Sequence, residues 1–148
     1  MESAKTVGDT FEQKAGVYLI KQEGRQMLGV GDPAVRRVLG LPKPNGAPRG
    51  AAVAPDYLTV TKENMLAVSE VKSGGVEGGK VVEQLTNAMK KLKEKNLHGD
   101  VAHLELIMSK GATMSNAYEV VGDTLMKVTE EGKEVVRIEG HVIRVIQL

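Results

Sequence analysis

Apolar positions recur along the chain with two different periods, and the switches between them predict most of its elements. Phe11, Ala15, Tyr18 and Leu19 fall at the spacing of one helical face. Thr10-Phe11-Glu12-Gln13 fits a capping box just before them, so a helix is expected to open at Thr10 and end near Gly24. Tyr57–Val60 and Met65–Lys72 read as strands joined by the polar turn Thr61-Lys62-Glu63-Asn64, which predicts a hairpin. Behind the glycine-rich link Ser73–Gly79, the stripe Val81, Leu85, Ala88 and Leu92 predicts a helix from about Lys80 to Lys95, stopping near Asn96 and Gly99. Val101–Met108 reads as a further strand. From Tyr118 onward the chain breaks into short strands punctuated by Gly122, Gly132 and Gly140, with Val135–Ile138 expected to pair with His141–Ile146.

Between the first helix and the hairpin, residues 29–55 read as loop, with a short helical turn at Pro33–Leu39. Pro33, Pro42, Pro44, Pro48 and Pro55 are all the prolines of the chain, and with several glycines they forbid long regular elements. Arg36, Arg37, Lys43 and Arg49 face the single acid Asp32 here, which makes the segment basic. The order α, loop, β, β, α, β and then a β-rich tail places the chain in the α/β class, as a mixed sheet flanked by helices. At 148 residues, with no internal repeat or low-complexity tract, a single domain over 1–148 is expected.

Composition narrows the chemistry. Hydrophobic residues make up 41% but aromatics only 3%, so the core must be aliphatic with methionine. With no cysteine, disulfides, thiolate nucleophiles and zinc knuckles are excluded, and a metal would find oxygen ligands and imidazole. No apolar run approaches the ~20 residues of a membrane-spanning helix, and Met1-Glu2-Ser3-Ala4-Lys5 lacks the apolar core of a secretory signal, so a soluble chain is expected, with the missing cysteine leaving its compartment open and the cytoplasm as the default. A net charge of +1 leaves any nucleic-acid face to local charge.

Pro55-Asp56 stands at the entry of the first hairpin strand and Glu70-Val71-Lys72 at the exit of the second. Alternate side chains of a strand share a face, so Glu70 and Lys72 point the same way as Leu66 and Val68. In a hairpin the start of one strand lies beside the end of the next, which brings Asp56 toward Glu70. Two carboxylates and an ammonium then converge at one sheet edge. Magnesium, or manganese in its place, needs only one or two carboxylates beside water and phosphate oxygens. Lys72 is placed to orient the attacking water or to stabilise developing charge. Glu-x-Lys by itself says little, since Glu12-Gln13-Lys14 and Glu131-Gly132-Lys133 also match it. Only Glu70-Val71-Lys72 lies on an apolar strand at hairpin distance from a Pro-Asp. The bland alternative is an exposed strand end with solvated charges.

Pro55-Asp56 with Glu70-Val71-Lys72 resembles the signature of the PD-(D/E)XK nuclease superfamily, over about residues 9–108 with the tail at about 118–148 outside it. The resemblance implies a restriction-endonuclease-like αβββαβ core, although only two of the three early strands are visible in the sequence. It also implies a metal-site glutamate on the first helix, matched by Glu12, and a glutamine or lysine on the helix after the motif strand, matched by Gln84. The alternatives are a first-turn carboxylate favouring the helix dipole for Glu12 and a polar boundary residue for Gln84. Lys80, Gln84, Lys91 and Lys95 share one edge of that second helix, where a phosphate backbone could run, with Arg36, Arg37 and Arg49 as further contacts. The implied activity is a magnesium-dependent endonuclease acting on DNA or structured RNA. Four aromatic residues argue against extensive stacking on single-stranded bases. The chain is also similar to the C-terminal nuclease modules of bacterial polymorphic and contact-dependent inhibition toxins. That would imply delivery into the cytoplasm of a target bacterium and an immunity protein covering the site. A Holliday-junction-resolvase-like enzyme is the nearest alternative.

Three rival readings remain. Gly74-Gly75-Val76-Glu77-Gly78-Gly79-Lys80 matches the phosphate-loop spacing between a strand and a helix, but it has Val81 where a hydroxyl is needed and Glu77 where anionic phosphates would sit. His98, His103 and His141 lack ligand spacing, and no serine sits in a nucleophile-elbow context. A non-catalytic nucleic-acid or protein binding module could use the same fold, but two converging carboxylates repel each other without a cation.

Overall fold

The structure, a computed structural model, describes residues 4–30, 55–115 and 117–148, together with Arg37. The elements are α1 (Ala4–Lys21), β1 (Gln26–Val30), β2 (Tyr57–Val60), β3 (Leu66–Lys72), α2 (Gly78–Glu94), a 3-10 turn (His98–Asp100), β4 (Val101–Met108), β5 (Tyr118–Val121), β6 (Thr124–Thr129), β7 (Gly132–Val135), β8 (Arg137–Ile138) and β9 (His141–Gln147). The sheet runs β1-β2-β3-β4-β9-β6-β5, with β7 on β6 and β8 on β9. It is mixed, as expected of the α/β class. β1, β2 and β3 form an antiparallel meander. β3, β4 and β9 are parallel, with α2 as the crossover between β3 and β4.

Strand alternation divides the core between two faces. Leu58, Val68, Leu104, Leu106, Ile143 and Val145 pack with Val81, Leu85, Ala88, Met89 and Leu92 of α2. Tyr57, Ile107 and Ile146 pack on the other face with Phe11, Ala15 and Leu19 of α1. The apolar stripe predicted for α2 is therefore its buried face. Its glycine-rich approach is held by Val76, whose N–H donates to the Thr113 carbonyl at 2.7 Å and whose carbonyl accepts from Ser115 N at 2.9 Å.

Several expectations need correction. α1 starts at Ala4, so Thr10 lies inside it; a capping box marks a permitted start, and Gly8 costs a helix interior only about 1 kcal/mol. α2 starts at Gly78 and β3 at Leu66. β1 lies inside what the sequence offered as the start of a loop. It is a five-residue edge strand with a register shift between Met27 and Gly29, too short and irregular to show a period. In the tail, Val135 pairs with Met126, and only Arg137 and Ile138 pair with β9. The helical turn at Pro33–Leu39 and most of the basic segment fall outside the described residues; Arg37 is helical and exposed. Among the described residues, no helix is long and apolar enough to cross a membrane.

Candidate metal-dependent nuclease site

Hairpin register brings the motif together. Tyr57 lies opposite Ser69 and Leu58 opposite Val68, so the residue before Tyr57, Asp56, falls beside the residue after Ser69, Glu70. The turn is fixed by Thr61, whose N–H donates to the Met65 carbonyl at 2.7 Å and whose Oγ1 accepts from Met65 N at 3.1 Å. Asn64 adopts the left-handed φ of 63° that closes it. Beyond the start of β2 the Val71 N–H has lost its strand neighbour, and the Asp56 carboxylate takes that place, accepting from Val71 N at Oδ2 (2.7 Å). Asp56 is thereby held against the strand that carries Glu70 and Lys72.

Glu70 is 2% exposed, and Lys72 Nζ lies 3.6 Å from its Oε1. Burial first, then the charge and hydrogen bonding of neighbouring Asp56, push the Glu70 carboxyl up to about 9, against the opposing pull of Lys72. Its Oε2 is buried and has no hydrogen-bond partner. The Lys72 side chain is about one-third exposed, so its ammonium can also meet a ligand from solvent. A buried carboxyl with an orphaned oxygen beside a second carboxylate is short of positive charge, and an all-oxygen donor pair suits a hard divalent cation that keeps several waters. Asp56 and Glu70 fit such a cation. Among the described residues, no group of three or more Asp, Glu, His or Cys converges to hold one without water or substrate.

The other expected residues are more scattered: Glu12 lies on the α1 face, Gln84 in the middle of α2, and Lys91 in the last turn of α2, toward the sheet end away from Glu70. Gln84 Oε1 is buried without a hydrogen-bond partner, on the helix that covers the Glu70 face. Glu12 lies two turns into α1, so a first-turn interaction with the helix dipole does not account for it. The Glu12 carbonyl accepts from Tyr57 Oη at 2.8 Å. The Tyr57 hydroxyl is pushed up to about 12 by burial, then by the Glu12 and Asp56 charges, so both carboxylates border the same phenol. Gly16 makes this contact possible, since a Cβ there would stand 2.6 Å from Tyr57 Oη. Lys80 pairs with Glu77 at 3.2 Å and Lys91 with Glu94 at 3.3 Å. Such surface pairs are worth at most about 1 kcal/mol and yield readily to phosphates. Arg36 and Arg49 lie outside the described residues, and Arg37 has no described neighbours in sequence.

The phosphate-loop reading loses ground: Glu77 flanks the first turn of α2, Lys80 turns back to it, and the Gly78 N–H donates to Ser115 Oγ at 3.2 Å. The three histidines sit toward the starts of β4 and β9, the sheet end away from Glu70.

Sequence reasoning missed a polar cluster on the α1 face. Glu105, fully buried in β4, accepts from Arg25 Nη1 (3.0 Å) and Nη2 (2.7 Å) and from Ser69 Oγ (2.8 Å). Arg144 Nη1 approaches Oε2 at 3.4 Å and pairs with Glu23 at 2.7 Å, while Arg25 also donates to Thr59 Oγ1 at 3.0 Å. The cluster links β2, β3, β4 and β9 directly behind Glu70. Its signal was available: Ser69 stands between Ala67 and Val71 on one strand face, and Glu105 between Leu104 and Leu106 in β4. Compared with protein-family models, with curated proteins and with solved structures, the chain gives no significant match.

Proposed function

We propose that this chain is a divalent-metal-dependent nuclease of the PD-(D/E)XK type, in which Asp56 and Glu70 hold magnesium or manganese and Lys72 acts at the scissile phosphate. The observation that carries the reading is the convergence of Asp56, Glu70 and Lys72 where β2 begins and β3 ends, with Glu70 Oε2 buried and unpartnered. The element order α1-β1-β2-β3-α2-β4 supports it, because it is the αβββαβ order that the motif resemblance implies, including the early strand not visible in the sequence.

A divalent cation bound there would polarise the phosphoryl oxygen and lower the pKa of a water. The residues contribute the rest. Asp56 is oriented by Val71 N–H, which fixes its carboxylate beside Glu70. Glu70 is shielded from bulk water, which strengthens its attraction for any cation. Lys72 leaves the Glu70 carboxylate to donate to a non-bridging phosphate oxygen or to the attacking water, stabilising charge that develops on the phosphorane-like transition state. Gln84 would orient a ligand or water through its unpartnered amide oxygen, and Glu12 would act from behind Tyr57. Lys80 and Lys91, with Arg36, Arg37 and Arg49, would track the backbone of DNA or structured RNA. The narrower reading, a toxin domain acting in a bacterial cytoplasm and covered by an immunity protein, rests on the sequence resemblance, as does the resolvase-like alternative.

Plasmid DNA and total tRNA, each incubated with the protein in magnesium, in manganese and in EDTA, test this. Cleavage of at least one substrate with either metal and none in EDTA is expected. Folded protein that cuts neither substrate under any of these conditions contradicts the proposal.

A further inference from the structure

The parallel strands β3, β4 and β9 end together, and beyond their ends a cavity of about 400 Å³ opens on the Glu70 face of the sheet. Lys72 lies beside Met108, and Met108 beside Gln147, in adjacent strands. Met108 and Gln147 line the cavity, so it begins one strand away from Lys72 and reaches past β9 to Val128 of β6 and Tyr118 of β5. The segment that roofs it is stitched to the motif strand. Ser109 N–H donates to the Lys72 carbonyl at 3.2 Å, Ser109 Oγ to the Ser73 carbonyl at 2.9 Å, and Val76 pairs with Met114.

The lining has the chemistry of a base site. Of the four aromatic residues, Phe11, Tyr18 and Tyr57 belong to the α1 face, and Tyr118 alone is on this one. The Tyr118 ring lies against the N-terminus of α2 because Gly78 has no side chain; a Cβ there would stand 2.4 Å from the ring. Met108 and Met114 add polarizable thioethers suited to a flat ring. At the rim, exposed Gln147 carries an amide able to donate and accept at a base edge, while the Glu119 carboxylate is paired with Lys133 at 2.8 Å. Among the described residues no lysine or arginine lines the cavity, so no positive side chain there balances a phosphate.

We propose that this cavity receives an unpaired nucleobase next to the scissile phosphate, stacked on Tyr118 and read by Gln147, so that the preferred substrate carries a looped-out or single-stranded nucleotide at the cut. This rests on the nuclease reading for its phosphate, but the base site can be tested without cleavage. Stem-loops of DNA and of RNA, carrying 2-aminopurine at one loop position in turn, are bound to wild-type protein, Tyr118→Leu and Gln147→Leu in calcium with no magnesium. The fully paired stem serves as control.

Tighter binding of the stem-loop than of the stem, with quenching of 2-aminopurine at one position, is expected. Tyr118→Leu should weaken stem-loop binding about tenfold or more, the loss of one base stack, and Gln147→Leu should weaken it several-fold, with stem binding unchanged. Gln147 is exposed, so its variant reports the base contact even if Tyr118→Leu disturbs packing against Gly78. Equal binding of stem and stem-loop, or stem-loop binding indifferent to both substitutions, overturns the base site. If magnesium-dependent cleavage persists in that case, the nuclease reading stands alone. Loop-selective binding without metal-dependent cleavage would instead leave the base site standing and remove the nuclease.

Discussion

Glu70 ties the site to stability, and its protonation gives a measurable slope. Its carboxyl stands at about 9 in the folded chain against an ordinary value of 4.5, because burial and Asp56 disfavour the charged form. Folding without metal therefore takes up a proton between those two values. The stability this contributes is fully present below about pH 4.5 and is lost as pH rises toward about 9, at up to about 1.4 kcal/mol per pH unit. Between pH 5 and pH 8 the loss is on the order of 3–4 kcal/mol, which for a domain of this size moves Tm by about 10 °C. Glu70→Gln has no such proton to take up. Thermal unfolding in EDTA from pH 5 to pH 8 should show the wild type falling relative to Glu70→Gln by about that amount. Magnesium at pH 8 should restore the wild type and leave the variant where it was. Parallel curves for the two proteins, with or without magnesium, would refute the claim that Glu70 is a buried, cation-seeking carboxyl.

The Arg25–Glu105 pair should behave as a buried ion pair: Arg25→Met is expected to cost about 3–5 kcal/mol in urea unfolding, and Arg25→Met with Glu105→Leu to recover much of it. No recovery in the double variant would show that the pair sets strand register as well as balancing charge. Gly16→Ala should cost about 1–3 kcal/mol by pushing Cβ into the Tyr57 hydroxyl, and Tyr57→Phe in the same chain should relieve part of it. Purely additive losses in that double-mutant cycle would mean that the two residues do not press on each other.

Most of what positions the motif was legible from periodicity. The strands β2, β3 and β4 and the buried stripe of α2 follow from alternation and helical spacing, and hairpin length was enough to set Asp56 beside Glu70. The burial that perturbs Glu70 was not legible, because the path of the α2 crossover over the sheet is set by tertiary packing and not by the local pattern around Glu70. β1 was hidden for a different reason. An edge strand of five residues with a register shift is defined by its partner β2 rather than by its own pattern. The same holds for Tyr57, which reads as one more apolar strand residue until Gly16 is seen to admit its hydroxyl to the Glu12 carbonyl. The polar row behind the site left a trace in Ser69 and Glu105, but its organising residue, Arg25, precedes the strand that sequence reasoning did not find.

The most direct test of the central claim is the magnesium-dependent cleavage rate of wild type and Lys72→Met measured side by side on whichever of plasmid DNA and tRNA is cut. Lys72 is partly exposed and is not proposed as a metal ligand, so its loss should leave the fold and magnesium binding intact. The account predicts a rate at least about 100-fold lower, the scale of removing one donor to a developing negative charge. An unchanged rate would mean that Lys72 is a solvated charge at a strand end, and would contradict the assignment of the Asp56–Glu70 strand ends as the catalytic site.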